Sequence, residues 1–272
     1  MNGAKKYRME GFPELSAVRM DTGCSGAGIC NPDQLTQFHM PNPNLDKEEL
    51  AKFEALAQRW WDREGEFKPL HDINALRLDF IDSHAELAGK KVLDIGCGGG
   101  ILTEAMTRKG AEVTGIDLGR ASLAVAQLHA KEQQLEIEYR LISAEELAGQ
   151  EPESYDVVTC LEMLEHVPDP AAIVKACTRL LKPAGHAFFS TINRSPKSLL
   201  FAIVGAEYVL GLLPKGTHQY EKLIRPGELD RWIRQAGLHT AEITGMQYNP
   251  ITKVYRLSSD PSVNYLVFAS RP

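Results

Sequence analysis

At 272 residues, with 43% hydrophobic and 24% charged side chains, the chain has the composition of an ordinary folded protein with one main core. Its net charge of −6 argues against a general nucleic-acid-binding surface, so no nucleic acid is expected among its partners. The five cysteines include no C-x-x-C pair, which fits a reduced cytoplasm rather than a disulfide scaffold.

Residues 1–43 scatter Gly, Pro, Asn and Ser among charges without a sustained apolar period, and a disordered extension is expected there. No apolar run follows Lys5, Lys6 and Arg8, so no secretory signal is read. One domain is expected over 44–272. Asp46 with Glu49 three residues on has the pattern of a capping box, and Leu50, Phe53, Ala57, Trp60 and Trp61 follow at helical spacing. This predicts a helix over 46–63. A second helix is expected around Ile73, Leu76, Phe80 and Ile81, and the apolar run Lys91 to Ile95 is the first buried strand.

From there strands and helices alternate. A glycine loop at 96–100 leads into a helix closing near Gly110, then come a strand at 112–116, a helix over 119–133, and strands near 137–141, 155–160 and 186–192. Between the last two strands, Asp169 as cap, Pro170 at the first helical position and Gly185 beyond the end delimit another helix. Pro226 opens one more, and 238–246 and 262–269 read as two strands joined by a long connection. The series predicts an α/β fold, a doubly wound and mostly parallel seven-stranded sheet with N-terminal helices, with ligands at the carboxyl ends of the strands.

Asp94-Ile95-Gly96-Cys97-Gly98-Gly99-Gly100 has the spacing D-x-G-x-G-x-G between strand and helix, where glycines allow a tight turn and close approach of a ligand. The dinucleotide fingerprint would need glycine at Ile101, which counts against NAD or FAD, and no lysine followed by Ser or Thr makes a P-loop. Asp117, ending the second strand, is placed to accept hydrogen bonds from both ribose hydroxyls of a cofactor. Glu162, Glu165 and His166 follow the fourth strand at spacings of three and four, so a helical turn starting at Glu162 would point all three one way. Such a set can bind a divalent cation or supply a general base; a solvated acidic turn capped by His166 is the plainer alternative.

With these residues in place, the chain resembles the class I S-adenosylmethionine methyltransferases, a Rossmann-like fold. Over 46–272 it is similar to one branch of them, the ubiquinone biosynthesis O-methyltransferases. The resemblance rests on Arg59 to Asp62, Gly65 to His71, Asp94 to Gly100, Cys160 to Pro170, Val204 to Tyr208, Lys215 to His218 and Tyr248 to Thr252. It implies S-adenosylmethionine held by Arg77, Gly96, Cys97, Gly98, Asp117, Leu118, Ala144, Glu145 and Leu161. It implies catalysis by His166, Glu162 and Glu165, with the same three as candidate ligands of a magnesium ion. Oxygen-rich magnesium sites rarely favour histidine, so His166 stands open between base and ligand.

The activity so implied is O-methylation of polyprenyl catechols and demethylubiquinols. The rivals are a methyltransferase of another small or lipidic acceptor and a non-catalytic cofactor-binding lipid carrier. The inserted apolar helical segment at 197–225 is read as a substrate-side or membrane-interface element. Leu199 to Leu213 carries one formal charge and falls short of the roughly 20 residues that span a bilayer. Residues 190–235 hold seven Lys or Arg against four Asp or Glu, an excess suited to anionic lipid. A cytoplasmic, peripherally membrane-associated protein is expected, with a polyprenyl phenol or quinol, an anionic membrane surface and a ubiquinone-biosynthesis assembly as partners.

Overall fold

The computed structural model describes residues 44–199, 220–249, 252 and 254–272. The extension expected to be disordered at 1–43, and most of the insertion expected at 197–225, lie outside the described residues. Asp46 caps α1 (Lys47–Leu56), one carboxylate oxygen accepting the N–H groups of Glu48 and Glu49 at 3.0 and 3.2 Å. The expected capping box is only half made, because the Glu49 carboxylate turns to Lys52 and His166 instead of back to the cap. The helix also stops short of residue 63: Ala57–Arg59 tightens into a 3-10 turn, which turns Trp60 and Trp61 onto the glycine loop. After α2 (Lys68–Ala85), Glu86 closes the helix in the left-handed region at φ 48°.

Five strands then run parallel, β1 (Lys91–Ile95), β2 (Glu112–Asp117), β3 (Glu138–Leu141), β4 (Tyr155–Leu161) and β5 (Leu181–Ile192), in the spatial order β3-β2-β1-β4-β5. The C-terminal part adds β6 (His239–Asn249), β7 (Val254–Ser258) and β8 (Asn264–Ser270) as antiparallel strands, β8 lying against β5. Among the described residues the sheet therefore has eight strands where seven were expected. The eighth, β7, lies in the stretch read as a connection, and it pairs only with β6 at the sheet edge.

Helices cover both faces. On one side α5 (Ala144–Gln150), α6 (Pro170–Leu180) and α7 (Pro226–Gln235) pack Leu147, Val174 and Ile233 against Val158 and Phe189. On the other, α2 and α3 (Ile101–Arg108) pack Ile81 and Leu102 against Val92 and Phe188. Phe188 and Phe189 are sequence neighbours that enter opposite cores, the alternation that a buried strand imposes. Between β2 and β3 runs α4 (Arg120–Glu132). Helix α5 has no counterpart in the sequence reading; Ser143 caps it by accepting the Glu146 N–H at 3.1 Å. Asp169 caps α6 as expected, through the Ala172 N–H at 3.1 Å, but Gly185 is not its stop. Leu181 is already extended and begins β5, so Gly185 lies inside the strand.

Two packing features hold the carboxyl edge of the sheet. Asp94, buried at the end of β1, accepts the Thr103 hydroxyl of α3 at 2.6 Å and the Thr159 hydroxyl of β4 at 2.7 Å. The loop glycines face protein as well as cavity: a Cβ at Gly99 would lie 2.4 Å from Trp60 Cγ, and one at Gly98 2.5 Å from the same indole. Trp60 stacks on Phe67 at 3.7 Å, and Trp61 stacks on His129 at 3.5 Å while its N–H donates to the Gly99 carbonyl at 3.0 Å. Because Cβ and Cγ of Trp60 cannot swing away as a flexible tip would, Gly99→Ala is expected to lower stability by about 1–3 kcal/mol, read from urea unfolding of the two proteins.

Candidate active site

The carboxyl ends of β1, β2 and β4, together with α1 and α2, enclose a cavity of about 600 Å³. All twelve residues singled out in the sequence line it: Arg77, Gly96, Cys97, Gly98, Asp117, Leu118, Ala144, Glu145, Leu161, Glu162, Glu165 and His166. Residues far apart in the chain meet there because parallel strands deliver all their carboxyl ends to one side.

At one end stands Asp117, whose oxygens accept the Gly98 N–H at 2.9 Å and the Gly119 N–H at 2.7 Å. These bonds aim the carboxylate, and since each oxygen has two lone pairs they leave it able to accept more. Burial raises its pKa against the backbone donors that stabilise its charge. Cys97 beside it is no nucleophile, because burial and the fields of Asp117 and Asp94 push its thiol well above the ordinary range. Arg77 reaches in from α2, 4% exposed, with one amino group donating to the Leu70 carbonyl and the Asn74 side chain, each at 3.3 Å. Its Nε has no partner and, among the described residues, no carboxylate forms an ion pair with it. Burial lowers its pKa, opposed by the fields of Glu162 and Asp94.

At the other end the expected helical turn starts later than Glu162. Glu162 itself has a left-handed backbone, φ 53°, and only Leu164–His166 form a 3-10 turn, so the three side chains do not share a helical face. Each has its own setting. A Glu162 oxygen accepts the Ser190 hydroxyl at 2.7 Å. His166 Nδ1 meets Glu49 Oε2 at 3.0 Å, and Phe53 packs edge-on to the ring at 5.0 Å. Burial opposes charge on this imidazole, but the Glu49 hydrogen bond and the fields of Glu165, Glu49 and Glu162 outweigh it and raise its pKa. Glu165 is 3% exposed with both oxygens unpartnered, and burial pushes its carboxyl up to about 7. Among the described residues no three His, Cys, Asp or Glu side chains converge on a common point that would hold an ion.

Sequence reasoning missed Glu49 and Phe53 of α1, and Tyr255 and Asn264 of the C-terminal strands, which all line the cavity. Glu49 carried a signal, but one that helix capping explained equally well. Asn264 Oδ1 is buried without a partner, and burial pushes the Tyr255 hydroxyl up to about 12.

A twisted parallel sheet with a glycine loop after β1, an acid after β2 and a polar cluster after β4 is the frame of a methyltransferase, and the chain belongs to that family: residues 70–243 match the methyltransferase domain. Solved structures share the fold. The magnesium protoporphyrin IX methyltransferase of Synechocystis PCC 6803, crystallised with bound SAM, aligns at a TM-score of 0.56 and 18% identity over 85% of this chain and 100% of that one. Within the family the chain groups with the ubiquinone biosynthesis O-methyltransferases: those of Pseudomonas syringae pv. tomato and Stutzerimonas stutzeri are each 65% identical over 82% of this chain and 97% of their own length.

The ionisation of Glu165 has a testable effect on stability. Its folded pKa of about 7 lies above the ordinary 4.5, so the folded state binds the proton more tightly and ionisation opposes folding. The penalty is absent below the ordinary value, grows as pH rises and is complete above the folded one. Glu165→Gln is therefore expected to raise the melting temperature by several degrees at pH 8 and to change it little at pH 4, as calorimetry at both values would show.

Proposed function

We infer that the chain transfers the methyl group of S-adenosylmethionine to a phenolic oxygen of polyprenyl catechols and demethylubiquinols in ubiquinone biosynthesis. The observation that carries this reading is one cavity with a cofactor end, Asp117 and Arg77, and a proton-handling end, Glu165 and His166. The names of the relatives support the pathway.

The residues present fit the methyl donor. Asp117 keeps acceptor capacity for two ribose hydroxyls, and Arg77, a buried cation with an orphan Nε, suits the carboxylate of a methionine moiety. The sulfonium supplies an electrophilic methyl carbon. What remains for the protein is to orient the acceptor and remove a proton, because a phenol of pKa near 10 is mostly protonated at neutral pH. The Glu49 carboxylate, held at about 2 by His166, despite the cost of burial, and by Lys52, only accepts hydrogen bonds. His166 Nδ1, facing that carboxylate, is assigned the proton in the neutral ring, and the imidazole is assigned to take the proton of the acceptor hydroxyl. Phe53 packs edge-on to His166, and Ile192 and Met163 add apolar lining to the same cavity, which strengthens the electrostatics within it.

Magnesium commonly uses one or two protein carboxylates and completes its shell with substrate oxygens and water. The unpartnered oxygens of Glu165 fit such a role, with Glu162 on the same wall, and these two would hold the ion. Bound there, it would lower the pKa of a chelated hydroxyl. His166, tied to Glu49 through Nδ1, is assigned the base.

No helix among the described residues is long and apolar enough to cross a membrane. The apolar run Leu199 to Leu213, flanked by Lys197 and Lys215, supports peripheral attachment to anionic lipid, where a polyprenyl tail resides. Docking to a ubiquinone-biosynthesis assembly would bring the same substrate to the cavity.

The assay is incubation with labelled S-adenosylmethionine and a short-chain prenyl catechol, with and without magnesium; label on a ring oxygen is the expected result, and label on carbon or none refutes the reading. Asp117→Ala is expected to weaken donor binding by about 1.5–3 kcal/mol in calorimetry. Glu162→Ala and Glu165→Ala should lower kcat while donor affinity stays near native. For attachment, the protein should sediment with phosphatidylglycerol liposomes at low salt and less at high salt; a protein left in the supernatant throughout lacks the proposed surface.

A further inference from the structure

We propose that Glu49 is a positioning residue for methyl transfer: from α1 it fixes the tautomer and orientation of His166, so the N-terminal helix completes the active site. This rests on the reading of His166 as the base. Glu49 is 4% exposed, and its two oxygens divide their work. Oε2 meets His166 Nδ1 at 3.0 Å, while Oε1 takes Lys52 at 3.0 Å and Lys222 at 3.5 Å. The lysines satisfy one oxygen and leave the other to the imidazole. Phe53, one helical turn further along α1, sets its ring at 88° to that of His166, so the helix grips the imidazole by an edge and by a nitrogen.

The helix is itself pinned around the loop that carries His166. Asn44 donates to the Asp169 carbonyl at 2.7 Å and accepts the Asp169 N–H at 2.8 Å, and the cap residue Asp46 binds Lys222 at 2.9 Å. The Asn44 pair sets the start of α1 against the segment after β4 independently of the Glu49 bond, while Lys222, from beyond β5, holds Asp46 and Glu49 together. The methyltransferase domain match begins at residue 70, so Glu49 comes from a part of the chain that precedes it. The usual expectation for an acid at this place in a helix is to reach back to the cap. Glu49 abandons that bond for His166, 117 residues away.

A carboxylate that merely anchors α1 and one that positions a base make different predictions, and a double-mutant cycle separates them. The cycle is Glu49→Ala, His166→Ala and the double variant of the full chain, assayed with labelled S-adenosylmethionine and a prenyl catechol. Glu49→Ala is expected to cut kcat by about tenfold to hundredfold, the scale for outer partners that orient a working imidazole, with Glu49→Asp recovering part of the loss. The double variant should be no slower than His166→Ala alone, and the KM for the donor should stay within about twofold of native. In nitrogen-15 NMR, native His166 should be protonated at Nδ1 when neutral, and Glu49→Ala should mix the tautomers. If His166→Ala keeps native kcat, the base reading falls and takes this proposal with it. If His166→Ala is slow but Glu49→Ala is native, or if the two losses multiply in the double variant, the base reading stands and the positioning role is overturned. Where Glu49→Ala fails to fold, Glu49→Gln takes its place in the cycle, and an unchanged tautomer with native kcat overturns the proposal.

Discussion

Taking a carboxylate out of water is costly unless donors replace the water, and five of the eight that line one cavity are met in distinct ways. The structure treats each differently. Asp94 is braced by two threonine hydroxyls, and by accepting them it ties α3 and β4 to β1. Asp117 is held by two backbone N–H groups, which fixes the turn after β2 to the glycine loop. Glu162 takes the Ser190 hydroxyl and Glu49 takes an imidazole with two lysines. Glu165 makes no well-formed hydrogen bond through either oxygen, and burial pushes its carboxyl up to about 7 against the weaker pull of its own N–H and the Thr191 hydroxyl. Satisfied acids build the frame, and an unsatisfied buried acid beside them has the setting in which functional groups are commonly found.

How much of this the sequence reveals depends on the range of the signal. The glycine loop, Asp117 and the polar cluster after β4 were legible because each is a short run fixed by its place at a strand end. The doubly wound parallel sheet followed from alternation, whereas the spatial order of its strands is seen only in the structure. Glu49 was not legible as a site residue, because local capping and a contact across 117 residues leave the same trace. Gly98 and Gly99 were read as room for a ligand, whereas Trp60 fills the space a Cβ would take there. Helix α5 is short, and β7 is a half-exposed edge strand, so neither carries the apolar period that marks a buried element. The expectation of a shared helical face for Glu162, Glu165 and His166 failed on one left-handed residue that no spacing rule encodes.

The site also draws on parts beyond the central sheet. Glu49 and Phe53 come from α1, and Tyr255 and Asn264 from the antiparallel strands at the far end of the chain. Parallel strands provide a common mouth, and elements added before and after them close its sides. The glycine loop and Asp117 belong to the alternating core, while these additions supply further walls of the cavity. Differences in acceptor among proteins of one fold have a physical place to reside in such an arrangement.

The stacking of Trp60 on Phe67 and of Trp61 on His129 places two of the three tryptophans of the chain directly against the cofactor loop. The third, Trp232, lies on α7 and packs against the core on that side of the sheet. Two of the three indoles thus sit on a single turn of backbone. Any ligand that shifts the loop changes the surroundings of both indoles at once, so occupancy of the cavity is readable optically in the unlabelled, unmodified chain.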